Sequence, residues 1–102
     1  LIIEDQLNTL KSAYVNNIAA KIKSFWNYQG HEDDWGCDVY VVQDREGYIK
    51  ALNVQKCDLD DSSKAQSFRV SIERAAKKAQ PLPTAPDDAV FDPEILFYFR
   101  AN

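Results

Sequence analysis

Apolar side chains recur at Leu7, Leu10, Tyr14, Ile18, Ile22, Phe25 and Trp26, steps of three and four that lay one stripe along a helix. Asn8, Lys11, Asn16, Lys23 and Ser24 fall on the other side, so the pattern predicts an amphipathic helix over roughly 4–27. The period breaks at "NYQGHEDDWG", where Gly30 and Gly36 punctuate a loop, and returns as a period of two. "CDVYVVQ" and "GYIKALNVQK" are rich in β-branched and aromatic residues and flank "DREG", a tight-turn sequence whose Gly47 suits a positive φ. They read as a hairpin. In its first strand Cys37, Val39 and Val41 share an apolar face, and Asp38, Tyr40 and Val42 share a mixed one.

"CDLDDSSKAQSFRVSIERAAKKAQ" opens with Asp and Ser residues able to cap a helix, then spaces Ala65, Phe68, Ile72, Ala75, Ala76 and Ala79 helically over about 63–79. Lys77 and Lys78 complement the dipole in its last turn, and Pro81 stops it. Three prolines within 81–86 predict a stiff, extended connector, and "PDDAVF" predicts one short helical turn ended by Pro93. Residues 95–100, "ILFYFR", complete the set as a third strand. The order α-β-β-α-(short α)-β implies an α+β fold, a three-stranded antiparallel sheet with helices packed on one face.

A length of 102 residues suits one domain, and an apolar fraction of 45% with twelve aromatic residues (two Trp, five Tyr, five Phe) favours a packed globule over a disordered segment. The net charge of -4 is unevenly spread: residues 31–61 hold nine acids and three bases, residues 62–80 one acid and five bases. A basic excess confined to one predicted helix argues against nucleic-acid binding. No run of about 20 apolar residues is present, which argues against a membrane span or signal peptide in this stretch. Methionine is absent, position 1 included, as expected of a piece of a longer protein.

Cys37 and Cys57 bracket the predicted hairpin, so its two ends place them side by side and a disulfide is expected. Closing a loop of that length stabilises a fold by roughly 3 kcal/mol and implies an oxidising compartment. A redox-active pair calls for closer spacing, such as CxxC at a helix start. His31 stands in "HEDD" with Glu32, Asp33 and Asp34, but one imidazole in an acidic loop supplies no rigid ligand set, so no metal is expected and the loop reads as solvated. Ser62 and Ser63 read as helix caps rather than nucleophiles, and three glycines build no phosphate loop. The chain is therefore expected to be non-enzymatic and to carry no cofactor.

The terminal strand remains. Ile95, Phe97 and Phe99 would face one side, and Leu96, Tyr98 and Arg100 the other, so both sides carry apolar bulk. Between two strands it would be buried core. At an edge, "LFYF" lacks the proline or lysine that blunts edges, and a partner peptide could add to it as a further strand. The candidate partner-binding residues are accordingly Ile95, Leu96, Phe97, Tyr98, Phe99 and Arg100, with Tyr40 on the outer face.

These residues, in this order, resemble the C-terminal periplasmic domain of the TolA and TonB family. The resemblance rests on Tyr14, Ile18, Ile22 and Trp26 at four-residue steps, "GCDVYVV", "DREGYI", Ser62 and Ser63, Phe68, "AAKKAQPLP", Asp87, Phe91 and the closing "FYF". It covers nearly the whole chain, and the "KAQPLP" phrase is its most specific part. "RVS" at 69–71 departs from the acidic residue common after this Phe in relatives, and "SSK" departs from Ser-Ser-Gly. The resemblance implies the far end of an inner-membrane-anchored protein of the Tol-Pal system in a Gram-negative periplasm, touching the membrane only through an anchor outside this stretch. The partners it implies are the N-terminal segment of TolB, with Pal a further candidate, the translocation segment of group A colicins and the N-terminal domain of the filamentous-phage minor coat protein. The alternative within the same family is a TonB-type energy transducer that contacts outer-membrane transporters.

Overall fold

A computed structural model of the chain describes residues 4–30, 32, 34–59 and 62–102. The elements are α1 (Glu4–Ser24), β1 (Gly36–Gln43), β2 (Ile49–Asp58), a 3-10 turn (Ser62–Lys64), α2 (Ala65–Lys78) and β3 (Glu94–Arg100). The strands form one antiparallel sheet in the order β2-β1-β3. This is the α+β arrangement that the alternating periods imply.

The helical stripe is buried where the pattern places it: Tyr14, Ile18 and Ile22 of α1 and Phe68, Ile72, Ala75 and Ala76 of α2 lose nearly all solvent contact. They close over Cys37, Val39 and Val41 of β1 and Ile95, Phe97 and Phe99 of β3. Beneath α2, Phe68 takes the rings of Trp26, Tyr28 and Trp35 edge-on at 6.0, 5.5 and 5.4 Å, the T-shaped geometry that aromatic quadrupoles favour.

Both helix boundaries shift inward from the predicted ones. α1 stops at Ser24, and the Phe25 and Trp26 amides donate to the Ile22 and Lys23 carbonyls at 3.1 Å in one tighter turn. That turn leads Trp26 to Phe68, and its indole donates to Ser71 Oγ at 2.8 Å. At α2 the N-cap position falls on Lys64, which makes no side-chain cap bond, and Ser62 and Ser63 fall in the preceding 3-10 turn. The "PDDAVF" segment makes two turn bonds, from the Val90 amide to Asp87 and from the Phe91 amide to Asp88, and falls short of a helix. His31 and Asp33 of the acidic loop lie outside the described residues.

Cys57 lies inside β2 rather than just past it, and it forms the expected disulfide with Cys37. The pairing depends on an irregularity in β2. Asp38 pairs with Gln55, but Gly36 pairs with Asp58, so β2 carries one extra residue there, and Lys56 sits at φ 51. Leu52 and Val54 face the helices. The extra residue reverses the alternation, and Cys57 turns to the side of Cys37 instead of away from it.

Asp44 organises the hairpin turn by accepting the amides of Glu46 and Tyr48 at 3.0 and 2.9 Å. Gly47 turns the chain at φ +90, and a Cβ there would lie 2.6 Å from the Leu82 carbonyl oxygen. That close approach explains the "QPLP" phrase. The Leu82 amide donates to the Gly47 carbonyl at 2.8 Å, Gln80 Oε1 accepts the Ile49 amide at 2.7 Å, and Leu82 itself is buried. The connector after α2 is thus fastened to the hairpin.

The amide of Tyr48 first, and then Lys50 and the amide of Glu46, hold the Asp44 carboxyl below its ordinary value of 3.8, against a smaller opposing effect of burial. A depressed carboxyl stabilises the fold above its unfolded value and loses that contribution as pH falls through the folded one. Amide exchange of Glu46 and Tyr48 is therefore expected to accelerate, relative to the amides of β2, as pH drops below about 3.8. Asp44→Asn should abolish that local pH dependence.

Candidate functional site

The position of β3 decides between the two readings of "ILFYFR": it pairs with β1 alone and forms one edge of the sheet. Two bonds bracket its ladder. The Gln43 amide donates to the Pro93 carbonyl at 2.9 Å, and the Ala101 amide to the Trp35 carbonyl at 2.8 Å. Gln43 and Trp35 occupy the same alternation along β1, so 95, 97 and 99 turn their backbone groups toward β1, and 94, 96, 98 and 100 turn theirs outward. The Glu94 amide is already taken by Asp92 Oδ1 at 2.9 Å. The amides of Leu96, Tyr98 and Arg100, with the alternate carbonyls, form the open row.

The candidate residues divide accordingly. Ile95, Phe97 and Phe99 send their side chains into the core, where they hold the edge in place. Leu96 and Tyr98 lie on the uncovered face of the sheet with 63% and 42% of their surface exposed, and Arg100 is exposed beside them. The Arg100 guanidinium sits 5.5 Å from the centre of the Tyr98 ring. Tyr40 pairs with Leu96 one strand inward on the same face, and its hydroxyl donates to the Glu94 carboxylate. That bond, with a smaller part from burial and from the negative charge, raises the Tyr40 hydroxyl above its ordinary pKa.

Two residues of this face were not among the candidates. Glu94 anchors Tyr40, and Gly36 makes room for Tyr98, since a Cβ at Gly36 would meet the tyrosine ring and the Phe99 carbonyl at 2.6 Å. The glycine in "GCDVYVV" was the available signal, but only the register of β1 against β3 reveals what it faces. Gln43, 3% exposed, ties the start of β3 to α1: its amide side chain donates to Tyr14 Oη at 2.8 Å and to the Asp92 carbonyl at 2.9 Å.

The opposite edge differs. Both irregularities in the β1–β2 ladder put the surplus residue in β2, at Lys50 and at Lys56. Lysines and bulges are the usual means by which an edge is closed to added strands. Between Glu94 and Arg100, β3 has neither.

Among the described residues no group of three His, Cys, Asp or Glu side chains gathers as a metal site would, and no helix is long and apolar enough to cross a membrane. Comparison with protein-family models and with curated proteins finds no match.

Proposed function

We propose that this domain is a non-enzymatic interaction module of the Tol-Pal envelope system, held in the periplasm of a Gram-negative cell. It lends the outer edge of β3 to partner peptides. The observation that carries the reading is the contrast between the sheet's two edges: β2 is bulged and lysine-bearing, while β3 presents a straight row of open groups under Leu96 and Tyr98. A disulfide across the hairpin supports an oxidising compartment. The resemblance to TolA-type C-terminal domains supplies the identity of the partners: the N-terminal segment of TolB, with Pal a further candidate, and, as parasites of the same surface, the translocation segment of group A colicins and the filamentous-phage minor coat protein.

Immobilised domain presented with two peptides, a TolB N-terminal segment and the N-terminal box of a TonB-dependent transporter, separates this reading from its nearest rival. Retention of the TolB segment alone is the expected result. Retention of the transporter box alone moves the domain to the TonB-type transducers. Retention of neither rejects both.

A further inference from the structure

The edge of β3 is not uniform along its length. At its start, Glu94 and Asp92 border a cleft whose other wall is Lys11 and Val15 of α1; at its end, Arg100 borders a cleft whose other wall is Ala19 and Lys23. One end thus carries two acids and one base, and the other carries two bases. Between them the exposed strand surface is apolar, formed by Leu96 and Tyr98.

An antiparallel strand added here bonds to the outward carbonyl of 94 and the outward groups of 96, 98 and 100, so the residues opposite those positions share their face of the sheet. The intervening residues point to the other face, against Val15 and Ala19 on the flank of α1, where small or aliphatic side chains fit. Antiparallel addition continues the pattern of the existing sheet and gives the slightly more stable ladder.

On this basis we propose that the β3 edge selects an extended peptide of ordered charge, with an acidic residue first, apolar residues third and fifth, and a basic residue seventh, the acid lying beside Arg100 and the base beside Glu94. The proposal rests on the strand-addition reading and adds the chemistry and direction of the occupant.

The sequence of β3 from 94 to 100, Glu-Ile-Leu-Phe-Tyr-Phe-Arg, itself fits that pattern, which raises a second copy of the chain as a rival occupant. The position of α1 argues against it. α1 packs against β3 on the covered side, so pairing two copies would set two helices over strands about 4.8 Å apart. Packed helices need about 8–10 Å. The facing flanks would also bring Lys11 and Lys23 of each copy together. A lone peptide meets neither obstacle.

The test uses the full chain and two capped heptapeptides with threonine at the even positions. One carries Glu, Leu, Tyr and Lys at its odd positions, and the other exchanges the Glu and the Lys. At low ionic strength the acid-first peptide is expected to bind about tenfold more tightly, from two cross-strand charge pairs turned from repulsion to attraction. The double variant Glu94→Lys with Arg100→Glu should invert that preference. Equal binding of both peptides, with both lost in Leu96→Pro, overturns the charge order while strand addition stands. Binding that leaves the amide resonances of Leu96, Tyr98 and Arg100 unmoved overturns strand addition and this proposal together. Dimers that form through β3 and exclude the peptides assign the edge to a second copy and also overturn it.

Discussion

Leu96→Pro is expected to leave a folded domain that no longer binds its partner, whereas Phe97→Pro, one residue on, is expected to unfold it. The Leu96 amide points away from β1, so proline there removes a donor that the fold does not use and that an added strand needs. The Phe97 amide points to β1, and its ring is 8% exposed within the core. Its loss combines a broken ladder bond with an emptied aromatic site, together roughly 4–6 kcal/mol, which matches the lower end of the roughly 5–15 kcal/mol that holds a domain of this size together. Thermal melts followed by circular dichroism and a binding titration with the TolB segment measure both effects. Binding retained by a folded Leu96→Pro domain would place the interface elsewhere.

Joint replacement of Cys37 and Cys57 by alanine is the second large effect expected. The bridge spans 20 residues and closes the hairpin at its open end, opposite the Asp44 turn. Chain-entropy reasoning puts its contribution near 3 kcal/mol, which lowers the melting temperature of a domain this size by roughly 10–20 °C. Without the bridge, the parity reversal at Lys56 has no covalent lock, so β2 should also show faster amide exchange near its end than near Val54. β3 pairs with the other side of β1, and well below the lower midpoint the variant should still bind the TolB segment. A melting shift of only a few degrees would mean that the ladder alone sets the register of the hairpin.

Much of this architecture was legible in the chain because the relevant signals are local. The three- and four-residue steps from Leu7 to Ile22, the alternation in "CDVYVVQ" and the Gly47 turn each depend on near neighbours. The places where reading failed depend on distant ones. The last turn of α1 tightens so that Trp26 can reach Ser71, 45 residues away. The reversal at Lys56 places Cys57 beside Cys37, 20 residues away in the chain. The serines are adequate caps by type, but they fall in a 3-10 turn and the α-helix begins two residues later than expected, at Ala65.

The candidate site was half legible. Its alternation split Ile95, Phe97 and Phe99 from Leu96, Tyr98 and Arg100 correctly, but a one-dimensional pattern carries no information about strand order. Whether "ILFYFR" is a centre or an edge is settled only by the crossover through α2 and its connector, which brings β3 beside β1 rather than beside β2. The guard on the far edge was equally hidden: Lys50 and Lys56 look like ordinary solvated lysines until the register shows each to be the surplus residue of a bulge.

The direct measurement is amide hydrogen exchange across 94–100 with and without a saturating TolB N-terminal segment. The alternate geometry of the ladder sets a specific expectation: Leu96, Tyr98 and Arg100 exchange readily in the free domain and gain protection in the complex, while Ile95, Phe97 and Phe99 are protected in both. A complex that forms while those three outward amides exchange as fast as before would contradict the account.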